Sequence, residues 1–198
     1  MNLSTLTIHL ILSGVLIVGA YQFYFWCQRN PLFEPRQLAS PLDERIPYLP
    51  QWVWIYSLLY YPAILYVNVV LQSAEQFTRV AFSYLALLAL QMTFFVLLPV
   101  RTPPHWRMAN AAGSWSERFL ALVQRYDAES NSFPSMHTSV AMLTALHLVP
   151  ELGLTAFAFP ALIGLSCLFT KQHYLVDIPA GAALGWFSYA LYAHLLAG

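Results

Sequence analysis

The chain has 198 residues, of which 59% are hydrophobic, 16% aromatic and only 9% charged. Soluble domains carry about 25% charged residues, so the deficit excludes an ordinary water-soluble enzyme and a disordered chain; nine Lys+Arg against nine Asp+Glu leave no basic footprint for nucleic acid. Cys27 and Cys167 provide neither a disulfide framework nor a zinc-ligand spacing.

The charges are segregated. No Asp, Glu, Lys or Arg occurs in residues 1–28, 46–74, 80–100, 130–150, 152–170 or 178–198. A helix that crosses a bilayer needs roughly 20 mostly apolar residues. The expected fold is therefore all-α: a polytopic membrane protein, a bundle of six transmembrane helices. The spans fall at about 6–26, 52–71, 80–100, 134–150, 154–171 and 176–196. They form a single transmembrane domain over 1–198.

The first run lacks a basic flank before it and a small-residue cleavage site after it. It reads as a retained helix, accessory to a core at about 50–196, and not as a signal peptide. Next, Pro31, Pro35, Pro41, Pro47 and Pro50 forbid a continuous helix and give an irregular surface segment. Trp52, Trp54, Tyr56, Tyr60 and Tyr61 follow, and such aromatic belts mark the membrane–water interface. The longest connection runs from Arg101 to about Phe133. Within it Ser114 and Glu117 form a capping box, and Trp115, Phe119, Leu122, Val123 and Tyr126 recur at helical spacing. A short amphipathic helix lying in the interface is expected there.

The fourth span opens on Asn131-Ser-Phe-Pro134-Ser135-Met136-His137. Pro134 suits a first helical turn, with Ser132 or Asn131 as N-cap. The helix N-terminus then offers an anion site. Ser135 adds a hydroxyl, and His137 can protonate a leaving oxygen. Between the fifth and sixth spans lies Lys171-Gln-His173-Tyr-Leu-Val-Asp177. A carboxylate four residues beyond His173 can fix its Nδ1–H tautomer and leave Nε2 free to attack phosphorus. Lys171 supplies a point charge.

In the sixth span, Gly181 and Gly185 form a small-xxx-small motif, for packing within the bundle or for a homodimer. His9, His147 and His194 lie in apolar spans and read as packing or interface residues. His105 is loop-borne.

Helices that alternate in direction bring Arg101, Pro134–His137, Lys171–His173 and Asp177 to one face. That face holds Arg29, Arg36, Arg45, Arg101, Arg107, Arg118, Arg125 and Lys171; the other has Arg79. The positive-inside rule leans toward a cytoplasmic site, but phosphate-binding cations inflate the count, so the side stays open.

Pro134-Ser135-Met136-His137 fits a P-S-x-H motif, and Ser166, His173 and Asp177 fit S-R-x5-H-x3-D. On these residues the chain resembles the type 2 phosphatidic acid phosphatase superfamily of lipid phosphatases and haloperoxidase relatives. The resemblance implies that His173 is the nucleophile of a phosphohistidine intermediate, Asp177 its orienting carboxylate and His137 the general acid. It implies Ser135, Lys171, Arg101 and Arg107 as phosphate-binding residues. Two departures stand out. Cys167 occupies the motif arginine's place. The K-x6-R-P motif is broken, since Arg101 and Arg107 flank Pro103-Pro104-His105-Trp106 and Met108 stands where proline belongs. Leu98-Pro99-Val100 and Gln172-His173-Tyr174 are similar to the branch of inositol phosphorylceramide and sphingomyelin synthases.

The leading expectation is an integral-membrane lipid phosphatase acting on a phosphomonoester or diphosphate lipid drawn from the bilayer, without metal or organic cofactor. The alternatives are a phosphotransferase that moves a headgroup phosphate to a lipid alcohol, and a non-catalytic lipid-binding or transport protein. A metal held by His137, His173 and Asp177 is weaker, because it gives the anion-binding helix start no purpose. The expected location is multi-pass, in a membrane of the bacterial inner-membrane type.

Overall fold

The computed structural model describes residues 3–127 and 130–195. The first apolar run, without proline, forms α1 (Leu3–Arg29). The proline-rich segment is irregular except for α2 (Pro41–Arg45), which a Ser40–Asp43 capping box starts with Pro41 in its first turn. A short parallel bridge ties Arg36 to Val100. A 3-10 turn (Pro50–Trp52) leads into α3 (Val53–Leu58) and α4 (Tyr60–Val70). Ser73 caps α5 (Ala74–Leu97) by accepting from Gln76 N–H, and Pro99 follows its end.

The long connection contains α6 (Trp115–Tyr126), with the expected capping box of Ser114 and Glu117. Then come α7 (Met136–Leu152), a 3-10 turn (Gly153–Phe157), α8 (Ala158–Phe169) and α9 (Asp177–Leu195). Gly153, at φ 58°, ends α7 in a backbone region open to glycine.

Among the described residues each of the six expected spans holds helix over most of its length, with residue 196 of the last outside the described residues, and the all-α membrane bundle stands. Among the described residues four segments, and not the expected six, are long and apolar enough by length and composition to cross a membrane: Leu3–Arg29, Pro50–Val70, Ala74–Leu97 and Met136–Phe169. The last is one 34-residue apolar stretch that folds into two helices, α7 and α8. The chain is a multi-pass membrane protein.

Helix α7 sits at the centre, packing most extensively on α9 and also on α8, α4 and α5. Leu87, Val140 and Leu143 fill one part of its surround, and Val67, Val80, Ala145 and Leu148 another. Gly181 and Gly185 explain the closeness of α9. A Cβ at Gly181 would run into the Ser135 carbonyl, and one at Gly185 into the Ser139 carbonyl. The small-xxx-small motif therefore packs α9 on α7 of the same chain. Helix α1 packs peripherally on α5 and α4, with Ile11, Val15 and Val18 turned outward, as a lipid-facing surface requires.

Two expectations need correction. The proline-rich segment is not merely a surface strap: Asp43 is buried, its carboxylate accepts from Leu175 N–H at 2.6 Å and its carbonyl accepts from Lys171 Nζ at 2.6 Å. Nor do the aromatics of the second span all form an outward belt. Tyr56 is buried and Tyr60 half-buried, and both rings pack on His137.

Candidate active site

The site forms where the start of α7 meets the turn between α8 and α9. The two motifs are joined by backbone, as Ser135 N–H donates to the Asp177 carbonyl at 3.1 Å. The N-cap of α7 is Ser135 itself, with Oγ accepting from Thr138 N–H. This corrects the expectation of Ser132 or Asn131 as cap and of Pro134 inside the helix. Asn131 is instead used at φ 68°, a left-handed conformation asparagine tolerates. Pro134 precedes the helix and its carbonyl accepts from Gln91 Nε2 at 2.7 Å. That leaves Ser135 fully buried, its hydroxyl shared with Thr138 Oγ1 at 3.2 Å and lying 3.9 Å from Cys167 Sγ.

Among the described residues, His173 is hydrogen-bonded from its Nδ1 side only. Nδ1 lies 2.9 Å from the Ser132 carbonyl and 3.2 Å from Asp177 Oδ2. Both partners are acceptors, so Nδ1 carries the proton and the Nε2 lone pair is left available. Asp177 Oδ2 also accepts from Tyr174 N–H at 2.9 Å. Its other oxygen, Oδ1, is buried with no hydrogen-bond partner among the described residues. A buried, half-satisfied carboxylate is costly. It is the arrangement expected of a group whose charge is needed when the neighbouring ring becomes positive.

His137 faces this ring, with centroids 5.8 Å apart in an edge-to-face arrangement. Tyr56 stacks on His137 at 4.1 Å and Tyr60 packs at 5.3 Å, so the ring is oriented by aromatic walls. These two tyrosines were missed as site residues in the sequence, where their aromatic character alone suggested an interface.

The basic residues distribute differently. Lys171 is buried, with Nζ donating to the Asp43 carbonyl and resting 4.9 Å from the Trp106 ring centroid. Burial lowers its pKa from the ordinary 10.5. It reaches left-handed φ 57° at the end of α8, where Lys171 N–H bonds the Leu168 carbonyl and Gln172 N–H the Cys167 carbonyl. This is a Schellman closure with lysine where glycine is usual. The Arg107 guanidinium donates to the Gln124 and Asp127 carbonyls. Arg101 has an exposed side chain, while its carbonyl takes the Tyr174 hydroxyl at 2.7 Å. His105 pairs with Glu44 at 3.2 Å. Of the other histidines, His9 is buried and stacks on Phe77, His147 bonds Ser83, and His194 is exposed.

A metal would not use the set His137, His173 and Asp177, because the carboxylate lies on the Nδ1 side of His173. Among the described residues, the potential ligand atoms that come together, within 4.8 Å of one another, belong to His137, Cys167 and His173.

A large cavity of 460 Å³ reaches this site, with His137 in its wall. Its lining is mostly apolar, from α1, α3, α4, α5, α6 and α7.

The family model described as "PAP2 superfamily" matches residues 33–191. No curated protein and no solved structure matches the chain.

Proposed function

The chain belongs to the PAP2 superfamily, and from that premise we propose that it is an integral-membrane lipid phosphatase working through a phosphohistidine. The observation that carries the reading is the one-sided hold on His173: Nδ1 is anchored by Ser132 and Asp177, and the ring meets that of His137. His173 Nε2 attacks phosphorus and forms the P–N bond. The P–O bond to the lipid breaks, and His137 donates the proton to the departing oxygen. The Asp177 carboxylate balances the positive charge on the His173 ring. Water, deprotonated by His137, then attacks phosphorus, the P–N bond breaks and inorganic phosphate leaves.

The helix start at Ser135 and the basic residues on this face would stabilise the transferring phosphoryl group. Removing one such donor costs on the order of 2.7–4 kcal/mol in barrier. With Cys167 at the motif arginine's place, that duty passes to other cations of this face, Arg101 foremost, with Arg107 and Lys171. The pocket opens on the basic side of a membrane of the bacterial inner-membrane type.

Transfer to a lipid alcohol is the second reading. The apolar cavity beside His137 gives such an acceptor a path to the phosphohistidine.

The test is purified, detergent-solubilised protein offered phosphatidate, phosphatidylglycerophosphate, polyprenyl diphosphate and sphingolipid phosphates, with and without a lipid alcohol. Phosphate release absent from His173→Ala supports the phosphatase, and headgroup transfer supports the synthase. Turnover that EDTA abolishes and zinc restores would instead assign His137, Cys167 and His173 to a metal.

A further inference from the structure

The cavity is far longer than a phosphate headgroup needs. Its wall on α5 runs from Gln91, beside the site, to Phe77, and on α1 from Phe25 to Ser13. At 1.5 Å per residue these stretches cover roughly 18–21 Å. The hydrocarbon core of a bilayer is ~30 Å thick, so the cavity is slightly deeper than one leaflet.

Helix α1 supplies one wall, and it lies outside the residues 33–191 matched by the family model. It is attached by polar pairs. Ser13 Oγ donates to Asn68 Oδ1 at 3.1 Å, the Tyr21 and Tyr61 hydroxyls meet at 2.8 Å, and Tyr24 donates to Asp127 at 3.2 Å. Within lipid, such pairs hold helices together where apolar surface gives no preference for a neighbouring helix over lipid. Between them α1 presents only Leu16, Ile17 and Ala20 to the cavity, and the space stays open.

We infer that this cavity receives one hydrocarbon chain of the lipid phosphate, and that α1 sets the chain length, with Ser13 and Asn68 closing the far end. The inference rests on the reading above, in which phosphate lies between His173 and His137. The chain runs from the departing oxygen at His137 along α5. A single chain fits the leaflet depth, and the apolar lining selects hydrocarbon. Ala20, midway along the α1 wall, is the residue whose enlargement shortens the slot.

The experiment is binding of brominated n-alkyl phosphates, from octyl to hexadecyl, to the detergent-solubilised full chain, read by quenching of intrinsic fluorescence. Wild type should bind tighter with each added methylene until the slot is filled. In Ala20→Trp the long-chain gain should drop by roughly 10-fold or more, and the break should move to shorter chains. Asn68→Ala, which opens the far end, should move it to longer ones, which keeps the inference testable if Ala20→Trp fails to fold. Val18→Trp, on the outward face of α1, should change nothing. An unchanged chain-length profile in both cavity variants, or an equal shift in Val18→Trp, overturns the inference. If no phosphate ester is hydrolysed but the profile still moves as described, the inference stands and the phosphatase reading falls.

Discussion

Ser135 N–H donates to the Asp177 carbonyl at 3.1 Å, so the two halves of the site, 42 positions apart in the chain, share a backbone hydrogen bond. The start of α7 and the start of α9 are thereby locked in register. The tie holds His137, on α7, in a fixed relation to His173, which Asp177 anchors.

Asp177→Asn tests the carboxylate's charge. The amide oxygen can still accept from Tyr174 N–H, so the fold is expected to persist. The positive ring of a phosphohistidine loses its counter-charge, and kcat should fall by about 10²–10⁴-fold. Thermal unfolding and phosphate release measured on one preparation separate the two effects. A kcat within about threefold of wild type would remove Asp177 from the reaction.

Gly185→Ala tests the close approach of α9. The added methyl meets the Ser139 carbonyl and Met142 Cβ, neither of which is the free end of a flexible side chain. Destabilisation of about 1–3 kcal/mol is expected, seen as a lower Tm in detergent. An unchanged Tm would show that α7 and α9 separate easily.

Much of this architecture was legible in the sequence. Charge-free windows marked the helices, Ser114 and Glu117 announced α6, and alternation of span direction put His137 and His173 on one face. What was hidden depended on contacts between distant segments. Pro134 looked like a helix opener, yet Ser135 is the cap, with extended backbone and its hydroxyl accepting from Thr138 N–H, while its own N–H reaches across to Asp177. Tyr56 and Tyr60 carry the signature of an interfacial belt, and only packing reveals them against His137. Asp43 lies in the one-turn helix α2 within a proline-rich segment that has no long-range periodicity, so nothing local foretold its tie to Leu175. The family model reaches back to residue 33, into that same segment.

Lys171 offers a comparison of two variants. Both Lys171→Ala and Lys171→Gly lose the bond to Asp43 and the Trp106 contact. Only glycine relieves the left-handed backbone, worth roughly 1–2 kcal/mol. Lys171→Gly should therefore melt above Lys171→Ala, while both lose equal activity if the ammonium serves phosphate. Identical melting temperatures would contradict the Schellman closure.

Asp43 predicts a pH dependence. Burial favours its neutral form, but Ser40 and the Leu175 N–H outweigh this and hold the carboxyl below the ordinary 3.8. A depressed pKa stabilises fully above the unfolded value and is lost as pH falls through the folded one. Asp43→Asn should cost about 1.5–3 kcal/mol at neutral pH, and its difference from wild type should shrink below about pH 3.8. Melting curves at pH 7, 5 and 3 check this, and a constant difference would assign the loss to packing.

The central claim is a covalent bond between phosphorus and His173 Nε2. The most direct measurement is a rapid alkaline quench during turnover of a ³²P-labelled lipid phosphate, followed by mapping of the labelled residue. The account predicts an acid-labile label on His173 that chases with water and is absent from His173→Ala. Label on another residue, or full turnover by His173→Ala, would contradict it.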